Sequence, residues 1–311
     1  MGVQIVFMFS DKFIQYITFE KRYSPHTVSA YQSDLDQFMQ FLNPAGAAPT
    51  VTIPTDITHH DIRNWMVHLM DAKLTPRSVN RKIATLRKYF KFLLQEGDIT
   101  VNPTSRITGP KVPKNLPVVV DGDKLTNMLD GRLDTATHQI FTDDFEGIRN
   151  KVIIEMLFGT GMRLAELTGV KETDIDFYEN TIKVLGKRNK QRIIPLNTEL
   201  VQLLKRYIEA KKSENFNNNS LTFLVTNKGS NVYPKLIYLV VQKYLANIST
   251  QDKKSPHVLR HTFATSLLNK GADLNAIKEL LGHANLSATQ IYTHNSVERL
   301  KSIYKRAHPK A

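Results

Sequence analysis

Cysteine is absent from all 311 residues of the chain. Its absence excludes a disulfide framework, a thiolate nucleophile, and a zinc or iron–sulfur site held by thiolates. A chain without disulfides also suits a reducing compartment. We therefore expect the protein to act in the cytoplasm.

Long apolar runs are missing as well. No stretch approaches the roughly 20 consecutive apolar residues that a transmembrane helix needs. The N-terminus is apolar, but no cationic residues lead into it, and Asp11 and Lys12 follow too soon for a signal sequence. An N-myristoylation motif also fails, because the chain has Val6 where that motif needs serine or threonine. We expect a soluble protein without a membrane partner.

Acidic residues are outnumbered, since 29 Asp and Glu stand against 42 Lys and Arg, for a net charge of +13. Such an excess indicates a polyanionic partner, although charge alone does not single out nucleic acid. Residues 1–110 carry 12 basic and 9 acidic residues, so most of the excess lies in the remainder of the chain, with 30 basic and 20 acidic residues.

Residues 1–108 show helical patterns only and predict an N-terminal helical domain. Each of the four predicted helices begins at a serine or threonine cap: Ser10, Ser24, Thr58 and Thr75. Gly97 closes the last of them. The sequence G-P-K-V-P-K-N-L-P follows, and its prolines predict an extended linker at residues 109–117. Residues 118–311 would then form the second domain.

The fourth predicted helix has two faces. Apolar residues at helical spacing predict its core face: Val79, Ile83, Leu86, Phe90 and Leu93. Basic residues lie elsewhere around it: Arg77, Arg81, Lys82, Lys88 and Lys91. These basic residues can follow the phosphates of a nucleic acid or form a solvated surface, and the helical pattern alone leaves both interpretations open.

The second domain combines helices with a short β-hairpin. Alternation predicts strands at residues 181–185 and 192–195, joined by a turn, and a further strand at residues 223–225. Residues 130–147 match neither the helical nor the strand period. We expect a mainly α protein of two domains, whose C-terminal domain is mixed α+β with a small antiparallel sheet.

The segment S-P-H-V-L-R-H-T-F-A-T concentrates polar and charged side chains on one predicted helix. Ser255 and Pro256 are typical of a helix start, and His257 and Arg260 then share one helix face. Apolar residues predict the stripe that docks this helix: Val258, Leu259, Phe263, Leu267 and Leu268.

Two further groups follow. A predicted helix at residues 274–281 stops at Gly282, directly before His283, and a later helical segment carries Tyr292. Arginine and histidine suit a phosphate, and the phenol beside them is a candidate nucleophile. Only about one phenol in a thousand is ionised at neutral pH, so neighbouring groups must supply about 4 kcal/mol. Cations around the phosphate can do so.

Together, H-V-L-R-H-T-F-A-T, L-L-G-H and I-Y-T-H resemble the C-terminal signature of the tyrosine recombinase (phage-integrase) family, most closely its Xer-type members. Two upstream motifs extend the resemblance. G-T-G-M-R-L-A-E-L contains Arg163 and Glu166, and V-L-G-K-R-N-K-Q-R-I-I-P-L contains Lys187. The likeness covers nearly the whole chain, from about Phe9 to Tyr304.

The resemblance implies a SAM-like core-binding domain at the N-terminus and a catalytic domain that cuts and rejoins duplex DNA. Tyr292 would attack a phosphodiester and form a 3′-phosphotyrosyl link, and Lys187 would protonate the departing 5′ oxygen. The non-bridging oxygens would be held by three residues: Arg163, Arg260 and His283. His257 would donate to the phosphate or accept the tyrosine proton. Neither a cofactor nor a metal ion is required.

The remaining polar positions have supporting roles in this interpretation. Glu166 would orient Arg163 by an ion pair or cap the helix start. Four cations lie at the predicted hairpin tip: Lys187, Arg188, Lys190 and Arg192. Such a tip is ordinarily a solvated turn. On the strength of the resemblance we expect DNA contact from six residues beside the catalytic Lys187: Arg188 and Lys190 of the tip, and Arg77, Arg81, Lys82 and Lys88 of the fourth helix.

The resemblance also implies an assembly. Exchange through a Holliday junction needs four protomers, in a homo- or heterotetramer that can include a second recombinase and a DNA translocase. Apolar residues of the C-terminal tail would dock in trans on a neighbour: Val297, Leu300, Ile303 and Tyr304. The expected role is chromosome dimer resolution, or integration and excision of an element, at the nucleoid.

Two alternatives come from other classes, and a third shares the chemistry. A metal hydrolase could use His257 and His261, but Val258 stands where H-E-x-x-H needs its general base. A DNA-binding regulator without catalysis would need only the basic faces. A type IB topoisomerase-like strand transferase would share the tyrosine chemistry.

Overall fold

The computed structural model of the chain describes residues 2–44, 53–113, 119–134, 139–186, 191–216, 222–250, 254–282 and 294–310, with side chains except in 2–8 and 294–300. The chain divides into two compact units, Met1–Asn115 and Leu116–Ala311. The predicted linker at residues 109–117 spans the boundary between them.

The first unit is helical in the residues that the structure describes. Its α-helices are α1 (Gly2–Gln15), α2 (Pro25–Leu42), α3 (His59–Asp71) and α4 (Pro76–Glu96), and it also has a π-helical turn at Tyr16–Glu20 and a 3-10 turn at Pro54–Asp56. Ser24, Thr58 and Thr75 each accept a backbone N–H at the start of a helix, as predicted. The predicted start at Ser10 is wrong, because α1 already begins at Gly2 and Ser10 is buried within it.

Aromatic side chains pack against one another within the core of the first unit. The Trp65 ring lies 4.9 Å from the Phe38 ring, and Phe13 meets Tyr89 edge-on at 5.5 Å. The five apolar residues predicted for the core face of α4 are all buried. Gly97 ends α4 with a φ of +81°, in the left-handed region that glycine tolerates best.

The second unit combines helices with a three-stranded antiparallel sheet. Its strands are β1 (Ile175–Asp176), β2 (Thr181–Leu185) and β3 (Gln191–Pro195), in the order β1-β2-β3. Its helices are α5 (Gly122–Leu129), α6 (Phe145–Thr160), α7 (Leu164–Gly169), α8 (Thr198–Ser213), α9 (Pro234–Ala246), α10 (Pro256–Asn269), α11 (Leu274–Leu281) and α12 (His294–Ala307). The predicted strand at residues 223–225 is wrong, because only an isolated bridge joins Val225 to Asn231.

Helix α6 lies at the centre of this unit and packs against α8, α9 and α10. It is buried on every side, so it lacks the polar stripe of a surface helix. Gly161 ends the helix with a φ of +61°, and a Cβ there would lie 2.4 Å from the Phe263 ring. Only glycine therefore fits this turn, which leads directly into Arg163.

The C-terminal segment packs on its own unit. Ile303, Tyr304, Ala307 and His308 are buried, and the Tyr304 hydroxyl donates to the carbonyl oxygen of Gly159 at 2.8 Å. In the single chain the tail thus fills an apolar site in cis, and its docking on a neighbour stays a prediction.

A buried ion cluster fixes the end of that segment. Lys310 Nζ lies 2.7 Å from Glu155, 2.8 Å from Asp130 and 2.9 Å from Glu199. Burial lowers the pKa of Lys310, but the three carboxylates outweigh burial and the pKa is raised.

Among the described helices, none combines the length and apolar character needed to cross a bilayer.

Candidate active site

Helix α10 carries two of the predicted site residues. It begins at Pro256, as predicted, but the Ser255 hydroxyl makes no capping hydrogen bond. The stripe that docks α10 is buried except for Leu268, which is 52% exposed, so its assignment to the stripe is wrong. This docking leaves His257 exposed, whereas Arg260 is buried.

Arg163 occupies the first position before α7. Its backbone N–H donates to Glu166 Oε2 at 2.7 Å, and its Nη1 donates to Glu166 Oε1 at 2.8 Å. Its Nη2 donates to the carbonyl oxygen of Gly282 at 3.3 Å. The side chain remains 41% exposed. Glu166 and Gly282 thus hold one side of the Arg163 guanidinium, while the other side faces solvent.

Glu166 is the anchor of this arrangement. It caps the start of α7 and pairs with Arg163, so it makes both of the contacts that the sequence left open. Burial raises the pKa of Glu166, but hydrogen bonds and charge from Arg192 and Arg163 outweigh burial and lower it to about 2. The carboxylate is ionised at neutral pH.

Arg192 is the residue whose position the sequence analysis missed, because it was grouped with the cations of the hairpin tip. It is 4% exposed and donates to both oxygens of Glu166, at 3.0 and 2.8 Å. The sequence signal that could have located Arg192 is the alternation of inward and outward side chains along β3. Arg192 shares the buried face of β3 with Ile194, and its partner across the sheet is Val184.

Arg260 joins the C-terminal ends of α6 and α11. Its Nη1 donates to the carbonyl oxygen of Gly161, and its Nη2 donates to that of Leu281 at 2.6 Å. Burial, with the charges of Arg163 and Arg192, lowers its pKa to about 10, which leaves it charged at neutral pH. Arg163 and Arg192 share the Glu166 carboxylate, and Arg260 adds a third guanidinium nearby, so the site carries net positive charge.

His257 lies one turn before Arg260 on the same helix. Its pKa is lowered, first because the helix removes part of the water around the otherwise exposed ring and then by His261, Arg260 and Arg163. The His257 and His261 rings are 5.7 Å apart. At neutral pH His257 is therefore an imidazole able to accept a proton.

Several predicted site residues lie outside the described part of the chain: Lys187, Arg188, Lys190, His283 and Tyr292. The described backbone brackets them. Residues 187–190 connect β2 to β3, and residues 283–293 separate α11 from α12.

The predicted DNA-contacting residues of α4 differ in exposure. Arg77, Arg81 and Lys88 are exposed, and Lys88 Nζ lies 3.1 Å from the Tyr23 hydroxyl. Lys82 is only 5% exposed and donates to buried Asp34 at 2.9 Å, so its assignment to DNA contact is wrong.

Lys82 has a structural reason for its burial. Asp34 lies on α2 and is buried, so its carboxylate needs compensating charge. Arg81 supplies two hydrogen bonds to it, at 2.6 and 2.8 Å, and Thr85 supplies one at 2.8 Å. The cluster joins α4 to α2.

Both units match known families. Residues 133–299 match the phage integrase family, and residues 11–97 match the phage integrase N-terminal SAM-like domain. The tyrosine recombinase XerC of Chlorobaculum parvum is 36% identical to this chain, over 97% of this chain and 94% of the relative. The protein of that name from Oceanobacillus iheyensis is 35% identical, over 98% and 97%.

Solved structures show the same fold. The Tn1549 transposon integrase in complex with transposon right end DNA superposes with a TM-score of 0.68 at 19% identity, covering 97% of this chain and 98% of that one. The XerH site-specific recombinase bound to its difH substrate, before cleavage, gives a TM-score of 0.65 at 22% identity, covering 90% and 79%.

Proposed function

This chain belongs to the phage integrase family and is a site-specific tyrosine recombinase, and we propose how its residues divide the chemistry and where it acts. The main support is the position of Arg163 and Arg260, which bond to the consecutive carbonyls of Gly282 and Leu281, immediately before His283. The proposed catalytic set has six members: Arg163, Lys187, His257, Arg260, His283 and Tyr292.

Phosphate binding falls to Arg163, Arg260 and His283. A guanidinium presents planar N–H donors that match two phosphate oxygens. Glu166 fixes Arg163 from the buried side, so the exposed edge of Arg163 is oriented before DNA arrives. Such preorganised charge stabilises the extra negative charge of a pentacoordinate phosphorus.

Bond exchange then needs two proton movements. The Tyr292 oxygen bonds to phosphorus as the bond from phosphorus to the 5′ oxygen breaks. The phenol proton passes to His257, whose lowered pKa supports a neutral imidazole at the start. Lys187 gives a proton to the departing 5′ oxygen. The phosphotyrosyl link conserves the bond energy, so no nucleotide cofactor is consumed.

The biological substrate is duplex DNA with a specific recombination site. We place the protein in the cytoplasm at the nucleoid, in chromosome dimer resolution or in integration and excision of an element. Two successive strand exchanges through a Holliday junction require a homo- or heterotetramer. A second recombinase, a DNA translocase, and docking of tails between protomers within the assembled tetramer belong to this proposal.

Contacts outside the catalytic set would position the duplex. In the first unit these are Arg77, Arg81 and Lys88, whose side chains are exposed. In the hairpin they are Arg188 and Lys190. Phosphate contacts of this kind set register and affinity rather than sequence preference.

The nucleophile is tested by Tyr292→Phe on a nicked suicide substrate. We expect no covalent protein–DNA band and nearly unchanged duplex binding, because only the attacking oxygen is lost. Tyr178→Phe is the matched control, since Tyr178 is 92% exposed in the same unit and should leave the band intact. A band of wild-type intensity from Tyr292→Phe would move the nucleophile to another residue.

A further inference from the structure

We propose that Arg192 is a positioning residue for strand cleavage, which keeps the Arg163 guanidinium available to the DNA phosphate by neutralising Glu166. This inference rests on the proposed role of Arg163 in phosphate binding. It goes beyond that role by naming what holds Arg163 in its working position.

The first observation is how completely the Glu166 carboxylate is occupied. Oε1 accepts from Nη1 of Arg163 at 2.8 Å and from Nη1 of Arg192 at 3.0 Å. Oε2 accepts from the backbone N–H of Arg163 at 2.7 Å and from Nη2 of Arg192 at 2.8 Å. Each oxygen therefore serves both arginines, and the four lone-pair positions of an ionised carboxylate are filled.

The second observation is the charge balance. Arg192 is almost fully buried, and its Nε, Nη1 and Nη2 all donate within the protein, to Leu280 and Glu166. Its charge offsets the charge of Glu166, and the trio retains one net positive charge on the exposed Arg163. Without Arg192, Glu166 and Arg163 would form a neutral pair. A buried carboxylate freed of one partner would also draw the Arg163 guanidinium inward.

The third observation is that Arg192 connects three separate elements of the site. The Nε of Arg192 donates to the carbonyl oxygen of Leu280 at 2.8 Å, so one guanidinium joins β3, α7 and the end of α11. A Cβ at Gly282 would lie 3.2 Å from Nη1 of Arg192, so the turn passes directly over the guanidinium. Arg192 thus lies against the same turn whose Gly282 carbonyl oxygen accepts a hydrogen bond from Arg163.

Only arginine fits this role. Lysine offers one compact ammonium group, which cannot donate in parallel to both oxygens of Glu166 and at the same time reach Leu280. Arg192→Lys should therefore keep the charge but lose the geometry. Arg192→Gln should lose both.

The test measures cleavage on the nicked suicide substrate under single-turnover conditions. We expect Arg192→Gln to slow cleavage by roughly tenfold to a hundredfold, less than removal of a direct phosphate donor. The double variant Arg192→Gln with Glu166→Gln removes the uncompensated carboxylate, and we expect it to recover much of that loss. A residue that only supports the fold would leave the double variant no faster than the single one.

A second readout does not need cleavage. If Arg163 is drawn inward, the slope of log affinity against log salt for a half-site should fall by about 0.9 in Arg192→Gln, the loss of one phosphate contact. Arg206→Gln is the control, since Arg206 is an exposed arginine of the same unit, paired with Asp143. Melting curves of all variants show whether each one folds.

The outcomes separate this inference from the proposed function. Wild-type rate and salt slope in Arg192→Gln would overturn the inference, as would a double variant that recovers nothing although it is folded. A covalent band that does not depend on Tyr292 would instead overturn the proposed catalytic set, while the salt slope would still decide the role of Arg192.

Discussion

Asp34 and Glu166 perform the same task in the two units. Each is a buried carboxylate that binds one buried and one exposed cation: Lys82 and Arg81 for Asp34, Arg192 and Arg163 for Glu166. The buried cation compensates the charge that desolvation makes costly. The exposed cation is held by the same carboxylate but keeps an edge toward solvent, where DNA phosphates can reach it.

This pairing predicts different effects for two neighbouring residues of α4. Arg81→Gln should reduce the salt dependence of duplex binding by about 0.9 in slope, because one phosphate contact is lost. Lys82→Gln should leave that slope unchanged but lower the free energy of unfolding by about 1–3 kcal/mol, because Asp34 loses a buried partner. Binding isotherms at several salt concentrations and melting curves measure both. A changed salt slope in Lys82→Gln would contradict this prediction and indicate that Lys82 contacts DNA.

His257 allows a prediction about pH. Its pKa is lowered in the DNA-free chain, so its neutral form persists below the ordinary histidine value of about 6.5. If neutral His257 accepts the tyrosine proton, cleavage should slow as pH falls through that lowered pKa, and His257→Gln should remove the dependence. His26→Gln, in the first unit, is the control. Cleavage that accelerates on acidification would show instead that charged His257 donates to the phosphate.

At the scale of elements, the sequence predicted what local chemistry determines. Helix α11 ends at Gly282, as expected, because a residue with a φ of +64° at a helix end favours glycine. The caps at Thr58 and Thr75 and the mainly helical, two-domain fold with a small antiparallel sheet are confirmed for the same reason. Each of these signals lies within a few residues of the feature that it predicts.

Features that depend on distant contacts were not predictable in this way. Arg192 was assigned to a solvated turn, yet its partners Glu166 and Leu280 lie 26 and 88 positions away. Ser10 has the chemistry of a cap but lies inside α1, where tertiary burial overrides local preference. Leu268 follows the helical period but extends beyond the surface that α10 docks on.

At the scale of the whole molecule, the C-terminal segment links the stability of the single chain to assembly, because the same tail cannot pack in cis and on a neighbour at once. In the isolated chain it fills a site in its own unit, and Lys310 neutralises the buried Glu155. A tail that docks on a neighbour would first have to leave this site. That departure uncovers apolar surface and leaves a buried carboxylate with fewer partners, both of which are unfavourable.

Truncation after Asn295 tests this relation. We expect the DNA-free protein to melt lower by on the order of 10 °C, because the loss of several buried side chains costs several kcal/mol. Ile303→Ala should lower the free energy of unfolding by about 2–5 kcal/mol, because Ile303 is buried. Lys305→Gln, on the exposed side of α12, is the control and should leave the free energy of unfolding unchanged. Gel shifts on half and full sites then report assembly. Truncated protein that melts like the full chain would refute packing in cis, and cooperative binding to the full site that survives truncation would refute exchange of tails within the tetramer.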